Sequence, residues 1–189
     1  MTDKAGILGR AATYKDLCDV PDSLVAEILA GDLWVSPRPG PRHSHAAVRL
    51  AVELVPPFQD GRGGPGGWHL LFEPELHLHG DVLVPDLAGW RNDRAKTLME
   101  RAHIITTPDW VCEIVSPSTE DLDRGINVGI YAREGVRYIW LVDPVKQTLE
   151  VLKLAAGVYV PILALAGDER AAAEPFDAVP FSLKRIWPA

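Results

Sequence analysis

Cysteine is scarce in this chain. Cys18 and Cys112 are the only two among 189 residues, and neither belongs to a Cys-x-x-Cys pair. No cluster of histidine and cysteine has zinc spacing, which excludes a thiolate-based metal site. Long apolar runs are missing as well. None reaches the roughly 18 to 20 residues needed to span a bilayer. Met1 to Arg10 lacks the apolar stretch of a signal peptide, so a cytoplasmic location is expected. Positive charge is also short. Nineteen Lys and Arg face 26 Asp and Glu, a formal net charge of −7. Non-specific affinity for nucleic acid rests on cations that neutralise phosphates. The charge therefore argues against tight DNA binding by the monomer, while a local basic patch or a groove between two copies could still hold DNA. Gly61 to Gly67 holds five glycines in seven positions, but no Gly-Lys-Ser/Thr follows, so a Walker-type phosphate cradle is absent.

What is present is an ordinary globular composition, 47% hydrophobic and 24% charged, in a length that fits one domain over residues 1–189. Thr13 caps a short helix at Tyr14 to Leu17, ended by Pro21-Asp22. Val25–Leu29 and Leu33–Ser36 flank the tight turn Ala30-Gly31-Asp32 and form a hairpin. Pro37 to Pro41 reads as a loop. From Ser44 the apolar positions Ala47, Leu50, Ala51 and Leu54 form one helical stripe, which Pro56-Pro57 ends. Strands are expected at Trp68–Phe72, Glu75–Leu78 and Val82–Trp90, then a helix from Asp93 to Arg101. Trp110 to Val115 suits a central strand buried on both faces. A helix capped by Ser118 or Thr119 runs to about Glu134, and Gly135 supplies the left-handed residue past its end. Strands Arg137–Val142, Thr148–Leu154 and Val158–Leu163 form a meander. A C-terminal segment, Glu174 to Ala189, is anchored by Phe176, Phe181 and Trp187. The order predicts one mixed sheet with helices packed on it, an α/β fold.

Two acids interrupt apolar runs. Asp86 follows Pro85 in Val82–Leu87, and Glu113 sits in the middle of Trp110–Val115. A carboxylate inside a central strand must be paired or bind a cation, because uncompensated burial costs several kcal/mol. Pairing with arginine is the plain alternative. The other reading is a hard-oxygen site for Mg²⁺, with Mn²⁺ a substitute, made of one or two carboxylates plus water and a substrate phosphate. The backbone carbonyl of Ile114 points back towards the same place. Histidines recur two apart, at His43/His45 and His77/His79. The second pair reads as surface residues on one face of a strand, while His45 heads a helix near the proposed site. Cys112, Trp90, Trp110 and Trp140 read as core.

Successive segments resemble the Uma-two family of restriction-endonuclease-like proteins. They are Ala26 to Leu33 with Ser36-Pro37, His45, Pro85-Asp86-Leu87, Glu113 to Thr119, Tyr131 to Val136, and Tyr138 to Pro144. They span roughly Thr13 to Tyr159 in order. The resemblance implies a PD-(D/E)XK core: a central mixed β-sheet flanked by helices, with an N-terminal β-hairpin. It implies a Mg²⁺-dependent endonuclease acting on DNA; because nucleases on duplex DNA often use two-fold symmetry to reach both strands, a homodimer is expected. By motif matching, Asp86 is the aspartate of the motif and Glu113 its second acid. Asp86, Glu113 and the Ile114 carbonyl are then the metal ligands. Glu27 matches the hairpin glutamate near the site, and Glu75 is a weaker candidate. The chain departs from the motif at its lysine. Val115 stands two residues after Glu113, and the shifted position on the following helix holds Asn127. Positions 123, 127 and 131 share one helix face. Arg124 or Lys96 stands in for the missing cation, or the chain is a catalytically inactive binding or regulatory protein that keeps the fold. A third reading is a small-ligand domain whose two acids are paired with arginines.

Overall fold

A computed structural model describes residues 3–4 (backbone only), 10–100, 103–117 and 119–188 of the chain. Ser118, Arg101 and most of Met1 to Gly9 therefore lie outside the described residues, as does Ala189, and with them the expectations placed there. In chain order the regular elements are β1 (Asp3–Lys4), α1 (Tyr14–Cys18), β2 (Leu24–Leu29), β3 (Asp32–Pro37), α2 (Pro41–Leu54), β4 (Trp68–Phe72), β5 (Leu76–Leu78), β6 (Asp81–Leu83), β7 (Leu87–Arg91), β8 (Trp110–Ile114), α3 (Val128–Glu134), β9 (Tyr138–Asp143), β10 (Thr148–Ala155), β11 (Val158–Ala166), β12 (Arg170–Ala171) and β13 (Phe181–Ser182). Among the described residues no helix is long and apolar enough to cross a membrane.

The α/β class stands, with a mixed central sheet in the order β11-β10-β9-β8-β7-β4. Only β8 and β9 run parallel in it, joined by the α3 crossover, and their register pairs Cys112 with Trp140 and Ile114 with Val142. The strands do not all enter one sheet, however. β1, β3, β2, β6 and β5 form a second, antiparallel sheet. Pro85 accounts for the division. Proline has no N–H for a ladder, so the run expected at Val82–Trp90 breaks into β6 and β7 on different sheets. At the break the Val84 N–H donates to the Glu27 carboxylate at 2.9 Å, and the Glu73 N–H donates to the Asp86 carbonyl at 3.0 Å. Asp86 thus stands just before a strand, not within one.

Local chemistry explains the other elements. Thr13 and Asp16 form a reciprocal capping box on α1. Ala30 and Gly31 turn the hairpin with φ of 53° and 84°, the doubly left-handed turn that matches strand twist. Gly135, at φ 78°, closes α3. Helix α2 starts at Pro41, three residues earlier than the apolar stripe suggests, with proline in the first turn, where its missing N–H costs nothing. Nor does Pro56-Pro57 end the helical path. It continues as one wide π-helical turn, Val55–Gln59, because Phe58 is buried and anchors it 4.8 Å from Phe176. The helix expected over Asp93–Arg101 reduces to a short 3₁₀ turn, Leu98–Glu100. There Asp109 accepts from the Arg91 N–H at 2.9 Å and binds the Arg94 guanidinium, which ties the segment to the start of β8.

The central sheet is covered on both faces. One face carries Trp110, Cys112, Trp140, Phe176 and Phe181, packed under α2 and the C-terminal segment. The other carries Trp90, Val111, Val115, Tyr131 and Ile139, packed under α3 and the second sheet. The core roles expected of Cys112 and the three tryptophans are met, since all four are fully buried.

Candidate active site

The C-terminal end of β8 opens into a cleft of about 310 Å³ between the hairpin, the start of α2, the β6–β7 link and the helical segment that leads into α3. Crevices at the carboxyl ends of parallel strands are where α/β sheets place ligands. Glu27, Glu73, Asp86, Glu113 and Asp123 all line this cleft, together with His43 and Asn127.

Each acid is fixed by a different donor. One Asp86 carboxylate oxygen accepts the Ile114 N–H at 2.7 Å, and the other lies 3.1 Å from His43 Nε2. A residue in a β-strand directs its N–H and C=O to the same edge, so the Ile114 carbonyl also faces the Asp86 side. Glu113 projects from the opposite face of β8 to its neighbours Cys112 and Ile114. It accepts the Tyr131 hydroxyl at 2.6 Å. Burial pushes the Glu113 carboxyl well above its ordinary range, and the charges of Asp123 and Asp86 add to this. Glu27 comes from β2 and is pushed up to about 7, chiefly by burial, with Asp123 and Asp86 contributing. Asp123 accepts the Thr119 hydroxyl at 2.6 Å. It too is raised to about 7, by burial first and by Asp86 next. Three of these carboxyls thus pay for desolvation and for one another, the condition under which a carboxylate takes up a proton or a cation.

Asn127 is 2% exposed and lines the cleft, and its side-chain oxygen has no hydrogen-bond partner among the described residues. The shared face expected for positions 123, 127 and 131 is present. Asp123 and Asn127 line the cleft, and Tyr131 reaches Glu113 inside it. The segment achieves this with a π-helical stretch, Leu122–Asn127, that runs into α3.

Other candidates are not brought in. Glu75 binds the Tyr14 hydroxyl at 2.9 Å and His77 at 2.7 Å outside this cleft. Arg124 is turned away, bound to Glu150 at 2.5 Å and to Glu120 at 3.3 Å. Lys96 is exposed and does not line the cleft. His45 is exposed, and His43 stands at the site in its place. Position 43 lies four residues before Ala47 and seven before Leu50, so once α2 reaches back to Pro41 His43 continues the buried stripe and His45 falls on the opposite side. His79 falls in the turn past β5, at φ 45°, where it meets Glu134 at 2.6 Å. Asp123 lay on the helix face already singled out, whereas Glu73, in a left-handed turn after β4, had no periodic signal.

The arginine-paired alternative is not what the side chains do. Asp86 is held by His43 and the Ile114 N–H and Glu113 by Tyr131, and among the described residues neither acid pairs with arginine. Among the described residues, no three His, Cys, Asp or Glu side chains are grouped so as to hold a metal ion by themselves.

No curated protein matches the chain. Among solved structures, it is similar to the crystal structure of "a putative nuclease belonging to DUF820" from Anabaena variabilis ATCC 29413, with a TM-score of 0.74 and 18% identity, over 93% of this chain and 97% of that one. At that identity the likeness speaks for the fold alone. A family model described as "Uma2: Putative restriction endonuclease" matches residues 11–183, so the chain belongs to the Uma2 family.

Proposed function

We propose that the chain is a divalent-metal-dependent endonuclease that hydrolyses phosphodiester bonds in DNA at the β8 cleft. The observation that carries this reading is the pairing of Asp86 and Glu113. Asp86 stands just before β7 and Glu113 on neighbouring β8; the two share one cleft and, among the described residues, are held by N–H and O–H donors without an arginine counter-ion. Family membership and the nuclease named in the similar structure support the same reaction class.

The residues fit a hard cation chemically. Asp86, Glu113 and the Ile114 carbonyl are oxygen donors, and Mg²⁺ or Mn²⁺ takes few protein ligands, leaving the rest to water and substrate phosphate. The raised acids point the same way, because a cation relieves both their burial and their mutual repulsion. When bound, the metal polarises a phosphate oxygen and lowers the pKa of water. The chain's own part is positional. The Ile114 N–H sets the Asp86 carboxylate, and Tyr131 sets that of Glu113. Glu27, held by the Val84 N–H, faces the cleft as a proton carrier. Asn127, where the motif has lysine, offers hydrogen bonds but no charge. Losing a charged transition-state stabiliser costs about 3 kcal/mol, on the order of 10²- to 10³-fold in rate, so turnover is expected to be slow. One cleft addresses one strand, so the proposal includes a second copy for the other.

Calorimetric titration with Mn²⁺ and Mg²⁺, followed by plasmid nicking, tests this. The native chain should bind and nick, and the Asp86→Ala, Glu113→Ala double variant should do neither. Equal metal binding by the two proteins ends the assignment. Asn127 also favours a second reading, an inactive nuclease fold that binds nucleic acid without cutting. Nicking that appears only after Asn127→Lys would establish it.

A further inference from the structure

His43 is the one imidazole among the residues that line the cleft. Of the two Asp86 carboxylate oxygens, Oδ2 accepts the Ile114 N–H at 2.7 Å, and Oδ1 lies 3.1 Å from His43 Nε2. With Oδ2 held by the main chain, Oδ1 is the oxygen left for a cation. Both side chains are 13% exposed. His43 stands in the first turn of α2, three and four residues before the fully buried Ala46 and Ala47, so the helix fixes its ring beside Asp86. A cation on Oδ1 meets that ring.

The spacing suits a shared ion. Two ligands at right angles on an octahedral ion, with bonds of about 2.1 Å, stand about 3 Å apart. A hydrogen bond has nearly the same span, so a cation can replace the proton between Nε2 and Oδ1 with little movement of either. The neutral ring then keeps its one proton on Nδ1. That atom is buried without a partner among the described residues, so no hydrogen bond there holds the ring in the other tautomer. The same bare Nδ1 makes His43 a weaker ligand than an imidazole whose N–H is bonded. Charge favours a nitrogen donor too. Another carboxylate would add to the repulsion that helps raise Glu27 and Asp123 to about 7, whereas imidazole brings a lone pair and no charge. Close donors are also few, since among the described residues no three acid, thiol or imidazole side chains are grouped to hold an ion by themselves.

We infer that His43 Nε2 is a ligand of the cation at Asp86, and that this nitrogen turns the preference of the cleft from Mg²⁺ towards Mn²⁺ and Co²⁺. The inference rests on the metal-dependent reading proposed above and names the kind of ion it favours. Oxygen-only sites suit Mg²⁺, and an imidazole shifts a site towards transition metals.

The test adds one equivalent of Mn²⁺ to the full chain at mildly alkaline pH, where imidazole is neutral. Electron-spin-echo envelope modulation then reads directly bound ¹⁴N. His45, His69, His77, His79 and His103 do not line the cleft, so a bound nitrogen that disappears in His43→Gln belongs to His43. Glutamine keeps a donor for Asp86 and offers oxygen in place of nitrogen. Calorimetry with Mg²⁺, Mn²⁺ and Co²⁺ reads the preference. The native chain should show imidazole modulation and bind Co²⁺ and Mn²⁺ more tightly than Mg²⁺. In His43→Gln the modulation should vanish, and the ratio of Co²⁺ to Mg²⁺ affinity should fall by about tenfold or more. Mn²⁺ that binds without ¹⁴N modulation, or modulation that survives His43→Gln, overturns the ligand. In either case binding that is lost in the Asp86→Ala, Glu113→Ala double variant leaves the metal site at the acids standing. A native chain that binds none of the three ions overturns both. Should His43→Gln not fold, the native chain labelled with ¹⁵N-histidine decides instead: an unchanged modulation overturns the ligand, and a change to the ¹⁵N pattern supports it.

Discussion

Strand β8 presents two faces that are spent on opposite ends. Trp110, Cys112 and Ile114 face the cluster under α2. There Trp110 lies edge-on to Trp140 and to Phe176, with ring centroids 5.4 and 4.9 Å away. Val111 and Val115 face the other side, and Glu113 stands between them, buried with a carboxyl that burial itself disfavours as a charge. The first face lowers the free energy of the fold. On the second, the Glu113 carboxyl raises it, and the apolar packing around it and on the first face is what allows that.

The largest effect expected from breaking this comparison is on the apolar face. Trp110→Ala should cost about 3 to 5 kcal/mol, read as a loss in denaturant midpoint. Among the described residues Trp110 Nε1 has no partner, so no hydrogen bond to them is lost with it. A cost below 1 kcal/mol would mean that this face does not carry the fold. Next comes the acid side. Glu27 is raised to about 7 from an ordinary 4.5, with Asp123 and Asp86 facing it. Its charged form is disfavoured in the folded state, so metal-free stability should fall as pH rises from about 4.5 to about 7 and stay low above that. Glu27→Gln should remove the part of this slope due to Glu27, leaving that of Asp123, which is also raised to about 7, and gain at most about 3 kcal/mol at pH 8. Urea unfolding in EDTA at several pH values reads it, and a slope unchanged by the substitution would disprove the assignment. A smaller change sharpens the link between the faces of the cleft. Tyr131→Phe deletes the donor to Glu113 and should cost about 1 to 2 kcal/mol. It should also weaken Mn²⁺ binding roughly tenfold or more by calorimetry. The smallest effect lies away from both. Gly135→Ala, at φ 78°, should cost about 1 kcal/mol in thermal unfolding.

The apolar face of this comparison was readable from sequence and the acid face only in part. Trp110–Val115 announced a central strand because nothing in it but Glu113 is polar, and Gly135 announced the end of α3. Asp86, Glu113, Glu27 and Asn127 do line one cleft, because each stood out locally: an acid among apolar residues, a hairpin glutamate, a polar residue on a helix face. Where the reading went astray, a longer-range constraint outweighed the local pattern. Pro85 divided one apparent strand between two sheets. The buried Phe58 carried a helical path past two prolines. Asp109, from the start of β8, drew in the segment expected as a helix at Asp93. His43 replaced His45 because two residues around a helix is a turn of about 200°, and the stripe of Ala47, Leu50 and Leu54, carried one turn back to Pro41, puts position 43 on the buried face.

The two acids of the hairpin and the strand link are held by main-chain amides. The Val84 N–H donates to Glu27 and the Ile114 N–H to Asp86, at 2.9 and 2.7 Å. An amide proton belongs to the peptide unit and not to the side chain, so nineteen of the twenty residue types could stand at 84 or 114 and still orient these carboxylates. Only proline breaks the clamp. At half-buried position 84 a substitution scan should therefore keep the Glu27 contact for every residue but that one, while at 114 the buried core face restricts the choice to apolar residues even though the amide clamp does not.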